Sequence, residues 1–358
     1  MKRIRLFLLL ALAVAMFACK PTAPDVPSGF AVGSGVFVLN EGGYQIGNSS
    51  LTFYDPEGDT VVNNLFKKVN FDLVQTLGDV AQSMAMADGK LYIIVNNSNH
   101  IYKMDANTIR IDTTMPFMLT GFYSPREMMI VAPNKAYVSD LIGKELWVVN
   151  PQDMTHTGSV AMGKMTEKMV QVGNELYVSN WSHYYDATVT NNTVQVVDVN
   201  NDVKVAEIEV GKEPNCMAVD NGGHVWVLCE GATWEADGEN PSLWEIDPML
   251  KTATKRHEFS GSAMTMKANA SGDGLFLFLN NEVRRFDVAT LALSENFRIA
   301  APEGGTYYNM AVNPRNGDLY VTDAKNYMMN GTVYRYTSDG VLLGSFEAGI
   351  IPSAMLFK

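Results

Sequence analysis

Residues 213–247 read EPNCMAVDNGGHVWVLCEGATWEADGENPSLWEID. An apolar run at 216–219 precedes a turn that contains Gly222 and Gly223, and the chain returns as an aromatic run at 225–228. After a loop, a third apolar run ends at Asp247. Short apolar runs separated by Gly-containing turns are typical of antiparallel strands. This stretch therefore predicts a small antiparallel sheet.

The same pattern recurs along the chain, and an aromatic residue marks the second strand of each copy. These aromatics are Phe37, Tyr92, Tyr137, Tyr177, Trp226, Phe276 and Tyr320, with spacings of 40 to 55 residues. Repeats of this size that contain several short strands indicate β-propeller blades. We therefore predict an all-β, seven-bladed β-propeller over residues 35–358, with about 46 residues per blade. A closed repeat array is a single domain whatever its length.

The two ends of the predicted propeller complement each other. The first copy has no strand ahead of the one that contains Phe37, whereas residues 351–357, IPSAMLF, have the form of a first strand. Similar openings occur at 124–128 and 213–217. We therefore predict that the C-terminal strand completes the first blade and closes the ring, which removes the exposed strand edges of an open sheet.

The composition of the chain gives a large hydrophobic core and argues against nucleic acid as a partner. The chain is 47% hydrophobic, which supplies a sizeable core, and its formal net charge is −12 with a pI of about 4.9. A groove that follows a phosphate backbone needs clustered Lys and Arg, and the sequence has no such cluster. Nucleic acid is therefore excluded as an expected partner.

The N-terminus has the pattern of an export signal. Three basic residues, Lys2, Arg3 and Arg5, precede an apolar segment that is too short to span a bilayer. The segment ends in Met-Phe-Ala-Cys, which is similar to a bacterial lipobox. We expect residues 1–18 to be a lipoprotein signal peptide, Cys19 to carry the lipid that attaches the chain to a membrane, and residues 19–34 to be a flexible tether. An ordinary signal peptide with an incidental cysteine is the alternative.

Two further cysteines lie on the hairpin of the fifth copy. If the hairpin turns on Gly222-Gly223, Cys216 and Cys229 face each other, and an oxidising compartment would permit a disulfide. If it turns on Asn221-Gly222, the register changes and they do not meet. The sequence leaves both a disulfide and two free buried thiols open.

The candidate ligand-binding residues lie where a propeller opens on one face. In that fold, the starts of the innermost strands and the loops after the second strands share this face. Aromatic and amide side chains there suit a large, flat, amide-bearing ligand. The candidates are Glu41, Tyr44, Arg126, Asn180, Trp181, His183, Tyr184, Tyr185, Asn215, Trp234, Tyr307, Asn309 and Tyr327. By contrast, the strand-end residues Asn96, Asp140, Asn280 and Asp323 are expected to cap turns, and the repeated aromatics to fill the core.

No motif for catalysis is present. The sequence has no Ser-His-Asp order, no phosphate-binding Gly loop and no calcium-loop pattern of acids. His183 has no second ligand at metal-site spacing. We therefore expect no catalytic residues, no bound metal and no cofactor.

The mature chain resembles the YncE-like propellers with YVTN-type repeats. The resemblance rests on LYVSN at 176–180, LYVTD at 319–323 and VQVVD at 194–198. Residues 38–42, VLNEG, and 50–55, SLTFYD, also resemble the opening of the Bacteroidetes lipoproteins of the surface-layer or DUF5074 type. That group includes the BtuG-type lipoproteins that capture cobalamin.

This resemblance implies a function and a location. It implies a non-catalytic outer-membrane lipoprotein that binds a corrinoid such as cobalamin and passes it to a TonB-dependent transporter of the outer membrane. Cell-surface display is favoured, and a periplasmic location stays open because Asp25 is the only acid in the tether.

Two alternative functions remain. Some propeller lactonases hold a divalent metal over the channel with oxygen ligands, and Glu41, Asn180, Asn215 and Asp323 are of the right kinds. The second alternative is a protein-binding scaffold of the cell envelope that uses the same face.

Overall fold

A computed structural model describes residues 33–74, 76–182, 189, 191–233 and 238–358. These residues form twenty-eight strands in seven four-stranded antiparallel sheets, together with one short helix, α1 (Leu65–Val69). Across this described part of the chain, no helix has the length and apolar character needed to cross a membrane. The fold is a seven-bladed β-propeller, as predicted.

The first four blades account for the N-terminal half of the chain. Blade 1 contains β1 (Val36–Asn40), β2 (Ser50–Asp55), β3 (Thr60–Val62) and the last strand of the chain, β28 (Pro352–Phe357). Blade 2 contains β4 (Ala81–Ala87), β5 (Lys90–Val95), β6 (His100–Asp105) and β7 (Met118–Thr120). Blade 3 contains β8 (Pro125–Ala132), β9 (Lys135–Asp140), β10 (Glu145–Asn150) and β11 (Thr155–Ala161). Blade 4 contains β12 (Met169–Val172), β13 (Glu175–Ser179), β14 (Thr193–Asp198) and β15 (Val203–Glu209).

The remaining three blades repeat this order. Blade 5 contains β16 (Pro214–Val219), β17 (Val225–Cys229), β18 (Ser242–Asp247) and β19 (Thr252–Glu258). Blade 6 contains β20 (Ala263–Ala268), β21 (Gly274–Leu279), β22 (Glu282–Asp287) and β23 (Ala292–Ala300). Blade 7 contains β24 (Tyr307–Val312), β25 (Leu319–Asp323), β26 (Asn330–Tyr336) and β27 (Leu342–Ile350).

The C-terminal strand closes the ring, as the sequence predicts. Strand β28 pairs antiparallel with β1, with Phe37 opposite Leu356 and Val38 opposite Met355. It also contacts β24 of blade 7 and β4 of blade 2. The innermost strands of all seven blades contact their neighbours in turn, and they surround a central channel. The first and last segments of the domain are therefore held in one sheet.

The repeated aromatics fill the spaces between blades, which confirms their predicted core role. All seven are at most 3% exposed. Tyr177 of blade 4 packs in a cluster with Met217 and Val225 of blade 5, and Tyr320 of blade 7 packs with Val36 and Val38 of blade 1. Burying such side chains contributes most of the hydrophobic stabilisation of the fold.

The innermost strands begin with an irregularity that shapes the channel. Their pairing with the second strand shifts register near the first residues in blades 1, 2, 3, 5, 6 and 7, for example between Ala81 and Ser83 and between Pro214 and Cys216. A β-bulge breaks the strict alternation of side chains along a strand. Consecutive residues of one strand can therefore face the channel.

The register of the blade 5 hairpin decides the state of the two cysteines. Cys216 pairs with Leu228, and after the bulge Cys229 lies opposite Pro214. Both thiols are free and buried, and the Cys216 thiol donates to the Met266 carbonyl at 3.2 Å. Of the two possibilities that the sequence left open, the structure has the two free buried thiols, because the hairpin pairs Val219 with Val225 and so adopts neither of the registers considered.

Candidate ligand site at the channel mouth

A cavity of about 330 Å³ lies at the mouth of the central channel. All seven blades contribute to it through the first residues of their innermost strands, and three loops that follow second strands complete it. The lining residues that carry polar or charged groups are Glu41, Gln82, Ser83, Glu127, Glu167, Lys168, Trp181, Asn215, Glu230, Thr265, Lys267, Tyr308, Asn309 and Ser353. The cavity is thus a polar site at the centre of the predicted binding face.

A repeat within the innermost strands identifies most of this lining. Each blade has a methionine near the start of its innermost strand: Met84, Met128, Met169, Met217, Met266, Met310 and Met355. The two residues just before each methionine are the ones at the channel mouth, as in Gln82-Ser83 and Met264-Thr265. The sequence reasoning missed Gln82, Thr265 and Ser353, although this repeated methionine could have located them.

One part of the cavity contains a compact ion network from blades 3 and 4. Arg126 donates to the Glu167 carboxylate through Nε at 2.5 Å and Nη2 at 3.1 Å, and Lys168 Nζ lies 3.3 Å from the same carboxylate. Arg126 also donates to Gln82 Oε1 at 3.0 Å. Burial opposes ionisation of Glu167, but Arg126 and Lys168 outweigh it and hold its pKa below the usual value. This network fixes three blades together.

The acids from blades 1 and 5 have neutral partners instead. Glu41 accepts a hydrogen bond from the Tyr308 hydroxyl at 3.0 Å, and burial raises the pKa of Glu41 to about 7. Glu230 accepts from Asn215 Nδ2 and from the Trp181 indole at 3.5 Å, and burial raises the pKa of Glu230 to about 7. Near neutral pH, each of these acids is therefore divided between its charged and neutral forms.

Exposed apolar side chains form a rim beside the cavity on blades 1 and 7. The loop after β1 presents Tyr44, which is 67% exposed, and the loop after β25 presents Tyr327, which is 44% exposed. Tyr327 packs edge-to-face on Tyr308 of the cavity, with ring centroids 6.0 Å apart. Ile46 and Met328 are exposed on the same two loops. Exposed Tyr and Met side chains on one face are typical of binding surfaces.

The structure separates the predicted site residues into three groups. Glu41, Trp181, Asn215 and Asn309 line the cavity, Arg126 holds Glu167 beside it, and Tyr44 and Tyr327 form the rim. Asn180 and Tyr307 belong to the interior of the blades. His183, Tyr184, Tyr185 and Trp234 lie outside the described residues, as do Cys19 and the predicted signal peptide.

Asn180 and Tyr307 do not reach the ligand site, which corrects two of the predictions. Asn180 is fully buried, where it donates to the Met165 carbonyl at 2.9 Å and accepts from Thr193 Oγ1 at 2.7 Å. Tyr307 is 3% exposed, and its hydroxyl donates to the Ala300 carbonyl at 3.1 Å. Both side chains satisfy buried polar groups, which is their structural role.

The set of oxygen ligands considered for a divalent metal is not brought together. Asp323 accepts from the backbone N–H groups of Thr306 at 2.7 Å and Lys325 at 2.8 Å, so it caps a turn as predicted. Asn180 is also committed to its own blade, which leaves Glu41 and Asn215 on the cavity. Within the described ranges, no group of three or more His, Cys, Asp or Glu side chains could hold a metal ion.

Fold and site together define the class of this protein, a seven-bladed β-propeller with a polar cavity at its channel mouth. Comparison with known families gives the particular group. The chain belongs to the family described as a domain of unknown function, DUF5074, whose profile matches residues 34–348. None of the curated proteins matches the chain.

Several solved structures share the architecture. A quinonprotein alcohol dehydrogenase-like protein from Bacteroides thetaiotaomicron aligns with a TM-score of 0.64 at 18% identity, over 92% of this chain and 78% of that one. Hydrazine synthase from Kuenenia stuttgartiensis aligns with a TM-score of 0.60 at 14% identity, over 76% and 88%. AztD from Citrobacter koseri aligns with a TM-score of 0.55 at 12% identity, over 90% and 83%. At these identities the likeness shows the fold alone.

Proposed function

We propose that this protein is a non-catalytic binding protein that takes a large, amide-bearing ligand of the corrinoid class, such as cobalamin, on the face around its channel mouth. The observation that carries this proposal is the pairing of an exposed aromatic rim with a polar cavity on one face. Tyr44 and Tyr327 offer flat apolar surface, while the cavity offers carboxylates, amides and ammonium groups. Such a combination suits a flat ligand with polar arms.

The size of the cavity decides how such a ligand would lie. About 330 Å³ is near the lower limit of the roughly 300–1,000 Å³ that small-molecule pockets occupy. A corrin macrocycle is too large for this volume. It would therefore lie across the rim, with one polar arm in the cavity.

The path of the chain supports a binding face that points away from the membrane. Strand β1 runs toward the mouth and ends at Asn40, directly before Glu41 of the cavity. The preceding segment therefore enters the propeller from the opposite face. With a lipid on Cys19 and the tether over residues 19–34, we propose an outer-membrane lipoprotein whose mouth is open to ligand and to a TonB-dependent transporter.

Isothermal titration calorimetry tests this function: cyanocobalamin is titrated into purified protein that begins at Lys20. We expect one-to-one binding, and we expect Tyr44→Ala and Tyr327→Ala each to weaken it about tenfold, because each removes aromatic contact area. Met249→Ala is the matched control, since Met249 is 93% exposed on a turn of the opposite face. Absence of heat and of a thermal shift at micromolar protein would contradict the proposal.

A further inference from the structure

Six charged side chains line the channel-mouth cavity and a seventh, Arg126, bonds to one of them, and the charges of these seven do not cancel. The acids are Glu41, Glu127, Glu167 and Glu230, and the bases are Arg126, Lys168 and Lys267. With every group ionised, four acids and three bases leave one negative charge. Burying an uncancelled charge is costly, so the imbalance needs a physical explanation.

The bases act on two of the acids, on Glu167 through ion pairs and on Glu127 over a longer distance. Arg126 and Lys168 both hold Glu167, at 2.5 and 3.3 Å. Burial raises the pKa of Glu127, and the nearby Lys168 and Lys267 act against that rise. The uncancelled charge therefore belongs to the other two acids.

Glu230 has no cation within ion-pair distance among the described residues. Its hydrogen-bond donors are the Trp181 indole and the Asn215 amide, both of which are neutral. Burial raises its pKa, and its charged neighbours Glu213 and Glu167 raise it further. Glu230 thus carries a carboxylate without a counter-charge from the described part of the chain.

Glu41 is in a similar position on blade 1. Burial raises the pKa of Glu41. The hydrogen bonds from the Tyr308 hydroxyl and Ser353 lower it, as do the more distant charges of Arg126 and Lys168, but burial outweighs them. Neither base lies within ion-pair distance of Glu41 in the described chain. Near pH 7, Glu41 and Glu230 are each partly protonated, and the protons that they hold reduce the negative charge of the cavity.

A second, independent observation lies next to Glu230. Asn215 Nδ2 donates to Glu230 and to the Met264 carbonyl at 2.9 Å. The Asn215 oxygen, Oδ1, is buried at the cavity and accepts no hydrogen bond in the described part of the chain. Buried polar atoms almost always have a partner. This acceptor therefore indicates a donor that the described residues do not supply.

We propose that the channel-mouth cavity binds a small primary ammonium compound, whose N–H groups donate to the Glu230 carboxylate and to Asn215 Oδ1. An ammonium group carries three donors and no acceptor, which matches these two acceptors. Its single positive charge cancels the charge that remains when Glu41 and Glu230 are both ionised. The ammonium compound thus replaces the proton, and binding releases it to solvent. This site does not rest on the corrinoid proposal.

Titration of the wild-type protein with n-propylammonium chloride tests the proposal, with 1-propanol as the neutral ligand of matched shape. Because Glu230 must be ionised, the apparent Kd is expected to fall about tenfold from pH 6 to pH 8. Calorimetry at pH 7 in buffers of different ionisation enthalpy should show release of about half a proton per bound molecule from Glu230 alone. Equal affinity for 1-propanol, or an affinity that does not change with pH, would overturn the proposal.

Two variants locate the site. Glu230→Gln keeps the shape of the side chain and removes its charge, and it should weaken propylammonium binding at pH 8 by about tenfold or more. Glu282→Gln is the matched control, because Glu282 pairs with Arg298 on the outer strands of blade 6. Equal loss in both variants, or no loss in either, would contradict the assignment. A negative titration with cyanocobalamin would leave these results unaffected.

Discussion

Glu167 and Glu230 lie in the same cavity, on neighbouring blades, and their surroundings differ in one respect. Glu167 has Arg126 and Lys168 within 3.3 Å, whereas the donors that the described residues bring within hydrogen-bond distance of Glu230 are all neutral. Burial disfavours the charged form of both acids. The cations hold the pKa of Glu167 below its usual value, and without them the pKa of Glu230 rises to about 7. A counter-charge thus separates a carboxylate that links neighbouring blades from one that has neutral partners.

The largest effect is expected from Glu167→Gln, which removes the carboxylate that pairs with Arg126 and Lys168. The substitution leaves Arg126 and Lys168 in the cavity without their anion. Removing one partner of a buried ion pair costs about 3–5 kcal/mol. Urea denaturation at pH 7 should show this loss in the free energy of unfolding, and a loss below about 1 kcal/mol would mean that the network is dispensable.

A smaller effect of opposite sign is expected from Glu230→Gln. The unfolded chain loses the Glu230 proton near pH 4.5, whereas the folded protein keeps it until about pH 7. The wild-type free energy of unfolding therefore falls as pH rises through this window, and the neutral variant avoids that fall. We expect Glu230→Gln to stabilise the protein by about 1–3 kcal/mol at pH 8 and to have little effect at pH 4.5.

Denaturation of both proteins at the two pH values measures this difference. The control is again Glu282→Gln, whose stability should stay within about 0.5 kcal/mol of wild type because its ion pair with Arg298 is on the surface. Destabilisation of Glu230→Gln at pH 8 would show that the Glu230 charge is compensated by a group other than the ones described.

The repeat pattern was sufficient to predict the fold. Seven aromatics at blade-length spacing, and a C-terminal segment with the form of a first strand, required a closed seven-bladed ring. These features depend on local periodicity and on the need to cover strand edges. Both properties can be read directly from the order of residues, which is why the predicted fold agrees with the structure.

The cavity was harder to predict, because side-chain length decides it. Six blades place Asn or Asp at the last residue of the second strand or directly after it, and these short side chains bond nearby groups of their own region, as Asn180 and Asp323 do. Blade 5 has Glu230 at that position, and blade 1 has Glu41 one residue later. One extra methylene lets a glutamate reach the channel, whereas the repeat pattern treats all these polar residues alike.

The bulges were the second source of error. Strict alternation would send only every other residue of an innermost strand to the channel. The bulges instead bring consecutive residues such as Gln82 and Ser83 to the mouth. Single-residue irregularities of pairing are set by contacts across the sheet, which the local sequence does not specify.

Carbon-13 NMR of the glutamate carboxyl groups across pH 4–9 tests the central contrast most directly. Signals are assigned by their loss in Glu41→Gln, Glu167→Gln and Glu230→Gln. We predict that Glu41 and Glu230 titrate with midpoints near 7. The Glu167 carboxyl should already be ionised at pH 4.5, because its pKa lies below the usual value. Midpoints near 4.5 for all three carboxyl groups would contradict the account, because the cavity would then hold no carboxylate in need of a counter-charge.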